Sequence, residues 1–259
     1  MEKKNYKPPF DYVEENSKTI DHWIEAGWEW GIPISSDTFL KAKQGEWEVV
    51  LTPTKAMPQS WFPPSIKGLK LLGLASGGGQ QMPIFAALGA EVTVLDYSLK
   101  QLESERLVAA REGYHIEIVR ADMTKRLPFD DNTFDIIFHP VSNSYVEQVK
   151  PIFKECYRIL KPGGIFIGGY DNGINYISDD EHTITNRFPF NPLVNPDQMK
   201  ALLDSDNGVQ FSHTLAEQIG GQLEAGFILT HLYEDINSEG HLHDLNVPCF
   251  FATRAIKRE

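Results

Sequence analysis

The chain has 259 residues, of which 41% are hydrophobic and 23% charged, ordinary globular usage and long enough to bury a core without a disulfide or metal staple. Its 24 basic and 36 acidic side chains leave a net charge of −12 with histidine neutral, and so acidic a chain repels phosphate backbones, which argues against a nucleic-acid partner. Two cysteines, Cys156 and Cys249, cannot form a metal quartet or a disulfide framework, and no apolar run approaches the ~18 residues that span a bilayer.

The opening MEKKNYKPPFDYVEEN has charge but no apolar stretch behind it. It is not a signal peptide, and a cytoplasmic protein without a membrane partner is expected. Residues 1–65 hold all five tryptophans: Trp23, Trp28, Trp30, Trp47 and Trp61. Residues 19–27 read as a short amphipathic helix with Ile20, Trp23 and Ile24 on one face. Pro33, Pro53, Pro58, Pro63 and Pro64 break up the rest. The segment therefore reads as an aromatic-rich N-terminal cap on a core of residues 66–259. Strands are expected at 69–74, 91–95, 116–119, 134–139 and 165–170, separated by helices at 82–88, 99–112 and 146–160. That alternation predicts an α/β fold with a parallel, doubly wound sheet.

Residues 171–212 are dense in Asn, Asp, Gly and Pro and read as a lid-like insert with one short helix at 196–203. A helix at 214–225 follows, then strands at 227–234 and 248–256. The polar link DINSEGHLHDLN is too short for a crossover helix, so these two strands are expected to run antiparallel. His241, His243 and Asp244 fall in that link and read as solvated loop; no metal is expected. Cys156 shares a helix face with Ile152 and Ile159 and reads as a small buried residue.

The chemistry is carried by a set of positions. LLGLASGGGQQ places a glycine-rich turn between the first strand and the first core helix, where small residues admit a ligand and a helix start offers free N–H groups. Asp96 ends the second strand, 17 residues after Gly79, and suits ribose hydroxyls. Asp122 follows the third strand, where a carboxylate can take an adenine amino group. All three positions lie at carboxyl ends of parallel strands, where open α/β sheets bind ligands.

The order of glycine-rich turn, Asp96, Asp122-Met123, LPFDDNTFDIIFH and RILKPGG resembles the class I S-adenosylmethionine-dependent methyltransferases, of the small-molecule, ubiquinone/menaquinone-methyltransferase-like type. The resemblance covers residues 66–170 closely, and EAGFILTHLYED with PCFFATRAIK resembles the end of that fold. It implies a Rossmann-like seven-stranded sheet with one antiparallel strand. It implies S-adenosylmethionine as cofactor, with Ala75, Ser76, Gly77, Gly79, Gln80, Asp96, Tyr97, Asp122, Met123, His139 and Val141 around it. The family's first motif, acid-x-Gly-x-Gly-x-Gly, is matched at Gly77 and Gly79, while Gly73 stands for the acid and Ala75 for the first glycine. Gln80, Gln81 or a residue of the cap would then hold the amino-acid end of the cofactor.

The expected activity is methyl transfer to a small molecule by a monomer or homodimer. A cofactor-binding sensor or scaffold without transferase activity is the alternative, and an NAD(P)-dependent oxidoreductase a weaker one. His139 and Tyr145 are the candidate catalytic residues, with Tyr12, Glu14 and Glu15 of the cap as further candidate bases. Trp28 and Trp30 are candidates for the acceptor side, since aromatic faces attract a sulfonium cation. The sheet looks complete without residues 1–65, so the five tryptophans are expected to cover its ligand face.

Overall fold

A computed structural model describes residues 10–259. The first nine residues, which begin the expected cap and the opening stretch read as lacking a signal peptide, lie outside the described residues. The alternating apolar runs build seven strands: β1 (Lys70–Leu74), β2 (Glu91–Asp96), β3 (Ile116–Arg120), β4 (Phe134–His139), β5 (Leu160–Asp171), β6 (Ile228–Asp235) and β7 (Phe250–Ile256). Their order in the sheet is β3-β2-β1-β4-β5-β7-β6. The first five run parallel, in registers such as Leu71↔Val92 and Leu71↔Ile136. β7 inserts between β5 and β6 and is antiparallel to both.

The helices are α1 (Tyr12–Glu25), α2 (Ser36–Lys43), α3 (Gln81–Ala87), α4 (Leu99–Glu112), α5 (Lys150–Ile159), α6 (Pro196–Asp204), α7 (Leu215–Ala225) and the single turn α8 (His241–Asp244). Among the described residues no helix is long and apolar enough to cross a membrane. Three boundaries differ from the sequence expectation by more than two residues, each for a local reason. α1 starts seven residues earlier than the expected 19, because the Asp11 side chain accepts from Val13 N and caps it. α5 starts at Lys150 because residues 143–145 form a separate 3-10 turn and Pro151 suits a helix's first turn. β5 starts at Leu160, which pairs with Phe134 before a bulge restores the register at Ile136↔Ile165.

Apolar residues cover both faces of the sheet. On one face Phe153, Cys156 and Ile159 of α5 pack with Leu72, Ile137, Phe166 and Phe227. On the other, Met82 and Phe85 of α3 and Leu102 of α4 meet Leu71, Val94 and Phe138. That second face is completed by Val49, Leu51, Met57, Trp61, Phe62 and Ile66. The sheet is therefore not complete without the N-terminal segment, and the five tryptophans divide. Trp61 is 3% exposed and sits in the core, and Trp47 packs edge-on to Phe62 and Phe85. Trp23, Trp28 and Trp30 lie elsewhere, near α1. The reason is supply: an α/β sheet needs apolar cover on both faces, and here residues 42–66 provide part of it.

Trp61→Ala is expected to lower stability by about 3–5 kcal/mol, the usual cost of emptying a large aromatic from a core. Urea unfolding checks this: an equilibrium midpoint unchanged from wild type would mean Trp61 carries no core packing.

Candidate functional site

A cavity of about 290 Å3 opens at the carboxyl ends of β1, β2 and β4, beneath α1. It sits at the low end of small-molecule pockets (~300–1,000 Å3). The residues singled out from sequence that line it are Ala75, Ser76, Gly77, Gln80, Asp96, Tyr97, Asp122, Met123, Val141 and Tyr145, together with Trp28 and Trp30. Gly79 and His139 do not line it, nor do Tyr12, Glu14 and Glu15. Gln81, which the sequence also singled out, lines it too, and residues not singled out as site residues join them: Asn16, Ser17 and Ile20 of α1, Leu51 to Pro53, Ser98, Gln101, and Phe250 at the start of β7. No residue of 171–212 lines the cavity. The lining holds two carboxylates, Asp96 and Asp122, and no Lys, Arg or His among the described residues.

The glycine turn is squeezed from outside. A Cβ on Gly77 would lie 2.5 Å from Gln101 Cβ and 3.0 Å from Asp96 Oδ2. One on Gly78, at φ +98°, would lie 2.7 Å from the Trp30 carbonyl oxygen. The expectation of free N–H groups here is met only in part, because four amides of the turn already have acceptors while Ser76 N and Gln80 N have none among the described residues. Ala75 N donates to Leu95 O (2.7 Å), Gly77 N to Asp96 Oδ2 (3.1 Å), Gly78 N to Gln101 O (3.0 Å) and Gly79 N to Glu105 Oε1 (2.8 Å). Gly79 is thus a structural position facing α4. Gln80 is engaged as well: its Nε2 donates to Glu29 O (2.8 Å) and Ile32 O (3.0 Å), tying residues 29–32 to the turn.

Asp96 is held at both oxygens, since Ser98 N also donates to Oδ1 (3.0 Å). Burial raises its pKa against the pull of these amides. Each oxygen keeps a lone pair for a ligand hydroxyl. Asp122 Oδ1 accepts from Thr124 N (2.7 Å) in a tight turn, and Lys125 Nζ lies 3.8 Å from Oδ2. The carboxylate thus serves its own turn and also faces the cavity. Tyr97 is fastened to α1: its hydroxyl donates to Glu14 Oε2 (3.2 Å) and its carbonyl accepts from Ser17 Oγ (3.2 Å). Beside it Asp21 Oδ1 accepts from Ser98 Oγ (2.5 Å) and Lys100 N (3.1 Å), joining α1 to the start of α4.

Of the candidate bases only Tyr145 lines the cavity. His139 is fully buried; its Nδ1–H donates to Leu74 O (2.9 Å) and its Nε2 lies 2.8 Å from the Asn143 amide, which bonds the Gln218 amide at 2.8 Å. Burial lowers its pKa, so the ring is neutral and both nitrogens are engaged. It pins the loop after β4 and has no free nitrogen for a substrate. Tyr145 does face the cavity, but burial pushes its phenol up to about 12, so it keeps its proton at neutral pH and can donate a hydrogen bond. Glu14 is taken by Tyr97, Glu15 pairs with Lys18 at 3.5 Å, and the Tyr12 hydroxyl accepts from Glu147 N (3.3 Å).

A family described as a methyltransferase domain matches residues 72–168. The chain is 42% identical over 260 residues to an uncharacterized methyltransferase, YbaJ, of Bacillus subtilis (strain 168), covering 95% of this chain and 98% of that protein. It is 37% identical over 99 residues to a demethylmenaquinone methyltransferase of Clavibacter sepedonicus, covering 38% of this chain and 40% of that one. In fold it is similar to an S-adenosylmethionine-dependent methyltransferase from Mesorhizobium loti, with a TM-score of 0.60 and 23% identity, covering 77% of this chain and 95% of that chain.

Glu105, under the turn, ties folding stability to pH. It is fully buried, one oxygen holds Gly79 N and Oε2 has no partner among the described residues. Burial lifts its pKa to about 8. An unfolded glutamate ionises near 4.3, so between these values the folded state holds a proton that the unfolded state lacks. This group's contribution is greatest at low pH and falls by about 1.4 kcal/mol per pH unit as pH rises toward 8. Glu105→Gln keeps the acceptor for Gly79 N and cannot ionise. Its thermal midpoint is expected to fall less between pH 5.5 and 8 than that of wild type; parallel curves in calorimetry would show that Glu105 does not titrate in this range.

Proposed function

The chain belongs to the class I S-adenosylmethionine-dependent methyltransferase family, and on that premise we propose that it transfers the methyl group of S-adenosylmethionine to a small apolar or aromatic molecule enclosed in the cavity. The observation that carries this reading is the pairing of two strand-end carboxylates, Asp96 and Asp122, with a lining free of cationic side chains among the described residues. The residues present fit the cofactor. Asp96 has lone pairs left for ribose hydroxyls, Asp122 and Met123 stand at the next strand end for the base, and the turn beside them leaves no room for a Cβ at Gly77. When bound, the cofactor supplies an electrophilic methyl on a sulfonium.

The chain's own residues bind, orient and exclude water. An in-line transfer gains several kcal/mol from alignment alone, and here the walls are closely packed against each other. Leu51 O accepts from Val141 N at 3.3 Å, bringing residues 50–53 against the loop after β4. A Cβ on Gly169 of β5 would collide with that same carbonyl, so glycine is required for the close approach. Leu51, Pro53, Val141 and Phe250 make this end apolar, while the Tyr145 hydroxyl offers one donor. An anionic acceptor would meet two carboxylates and no cationic side chain among the described residues, which favours a neutral molecule.

Calorimetry tests the proposal. S-adenosylmethionine and its demethylated product should bind; NAD or NADP binding in their place would overturn it. Asp96→Ala is expected to weaken both by about tenfold or more, since a carboxylate accepting from a hydroxyl makes a charge-assisted bond. An unchanged dissociation constant in a folded variant would reduce Asp96 to a cap for α4. Across a panel of acceptors, methyl release should favour neutral aromatic compounds over carboxylates and phosphates.

A further inference from the structure

Among the described residues, the cavity offers its acceptor no free base. The titratable side chains of the lining are Asp96, Tyr97, Asp122 and Tyr145. Both carboxylates stand where the nucleoside is assigned, and each already accepts from the backbone. The Tyr97 hydroxyl donates to Glu14 Oε2 at 3.2 Å, and Tyr145 keeps its proton at neutral pH. Asp171, at the end of β5, does not line the cavity; its carboxylate accepts from Gly173 N (2.5 Å) and Asn175 Nδ2 (2.8 Å). The lining is aromatic as well. Trp28 and Tyr145 both face the cavity, and Trp23, outside the lining, has its ring centre 5.2 Å from that of Trp28 and 6.4 Å from that of Tyr145. Two cations touch lining residues, Arg120 at 4.7 Å from the Tyr97 ring centre and Lys125 at 3.8 Å from Asp122, and neither enters the lining.

Resting on the S-adenosylmethionine reading above, we infer that the acceptor is a weakly basic aromatic amine of the pyridine type, which attacks through a neutral nitrogen lone pair and leaves as a methylated cation held against the rings of Trp28 and Tyr145. The lone pair forms the new C–N bond as the C–S bond breaks. The electron pair of the broken bond stays on sulfur, and the positive charge passes from sulfur to nitrogen. No proton leaves before or during this step, so it needs no base. A hydroxyl or an enol carbon would have to shed a proton, and no free side chain of the lining is there to take it. The charge that moves is positive throughout, and aromatic faces with two carboxylates and no cationic side chain suit it.

The test is calorimetry of 1-methylpyridinium, toluene and anisole on protein saturated with S-adenosylhomocysteine. The first two share a shape and differ in charge; anisole is the product that an oxygen acceptor of similar size would leave. The cation is expected to bind about tenfold more tightly than toluene or anisole. Tyr145→Phe keeps the ring and should keep that ratio, whereas Tyr145→Leu should reduce it to about threefold or less. Saturation by S-adenosylhomocysteine reports that each variant is folded. Toluene or anisole binding as tightly as the cation overturns the inference, and so does a complex that binds none of the three, or an unchanged ratio in Tyr145→Leu. If wild type does not bind S-adenosylhomocysteine, the methyltransferase reading itself fails, and the inference with it.

Discussion

The turn at residues 75–79 is compressed between two neighbours. α4 brings Gln101, Ser104 and Val108 against it on one side, and residues 30–33 close over it on the other. Side chains at Gly77, Gly78 and Gly79 would have nowhere to go, and Gly78 and Gly79 also adopt positive φ. The same compression turns the amides of Ala75, Gly77, Gly78 and Gly79 inward toward Leu95, Asp96, Gln101 and Glu105. Asp96 is thereby aimed and Glu105 is buried.

A second consequence is that α1 becomes part of the site. It is held by its polar face: Asn16 exchanges hydrogen bonds with the Val209 backbone (2.9 and 2.6 Å), and Trp23 Nε1 donates to Asp206 O at 2.9 Å. His213 Nε2 lies 3.0 Å from the carbonyls of Asn143 and Val146, and Phe211 N donates to Ser144 O at 2.7 Å. Residues 206–213 thus buckle α1 to the loop after β4, beside the cavity. Met199, Val209 and Phe211 form a small apolar cluster that Phe10 and Tyr12 complete.

The opposite wall is held from the far edge of the sheet. Asp235, at the end of β6, is 1% exposed and accepts from Thr54 N (2.9 Å), Lys55 N (3.1 Å) and the Thr54 hydroxyl. These bonds position residues 50–53 over the cavity, although Asp235 itself is not in the lining. A buried carboxylate satisfied by several donors gives a rigid anchor. Both walls come from segments that a bare Rossmann-like sheet does not contain.

Local pattern was enough to specify the sheet. Apolar runs such as EVTVL and FDIIFH, glycine stops and the spacing of Asp96 and Asp122 are short-range features, and the elements fall within a few residues of those signals in most cases. The strand-end carboxylates were visible for the same reason, since a parallel strand delivers its last residue to one edge of the sheet. The fates of His139, Gln80 and Gln81 were not. All three sit in or beside recognisable motifs, but what each bonds depends on residues far away in the chain: Asn143 and Gln218 for His139, Glu29 and Ile32 for Gln80, and the absence of any such partner among the described residues for Gln81. The tryptophans divided in the same way, because burial in one shared core or exposure at one cavity is decided by what packs across from a side chain. Sequence determined the strands of the sheet and which strand ends carry acid, but not α2 or the turn α8 at His241–Asp244, which was read as loop; tertiary structure alone decided which polar groups are already satisfied and which remain free to meet a ligand.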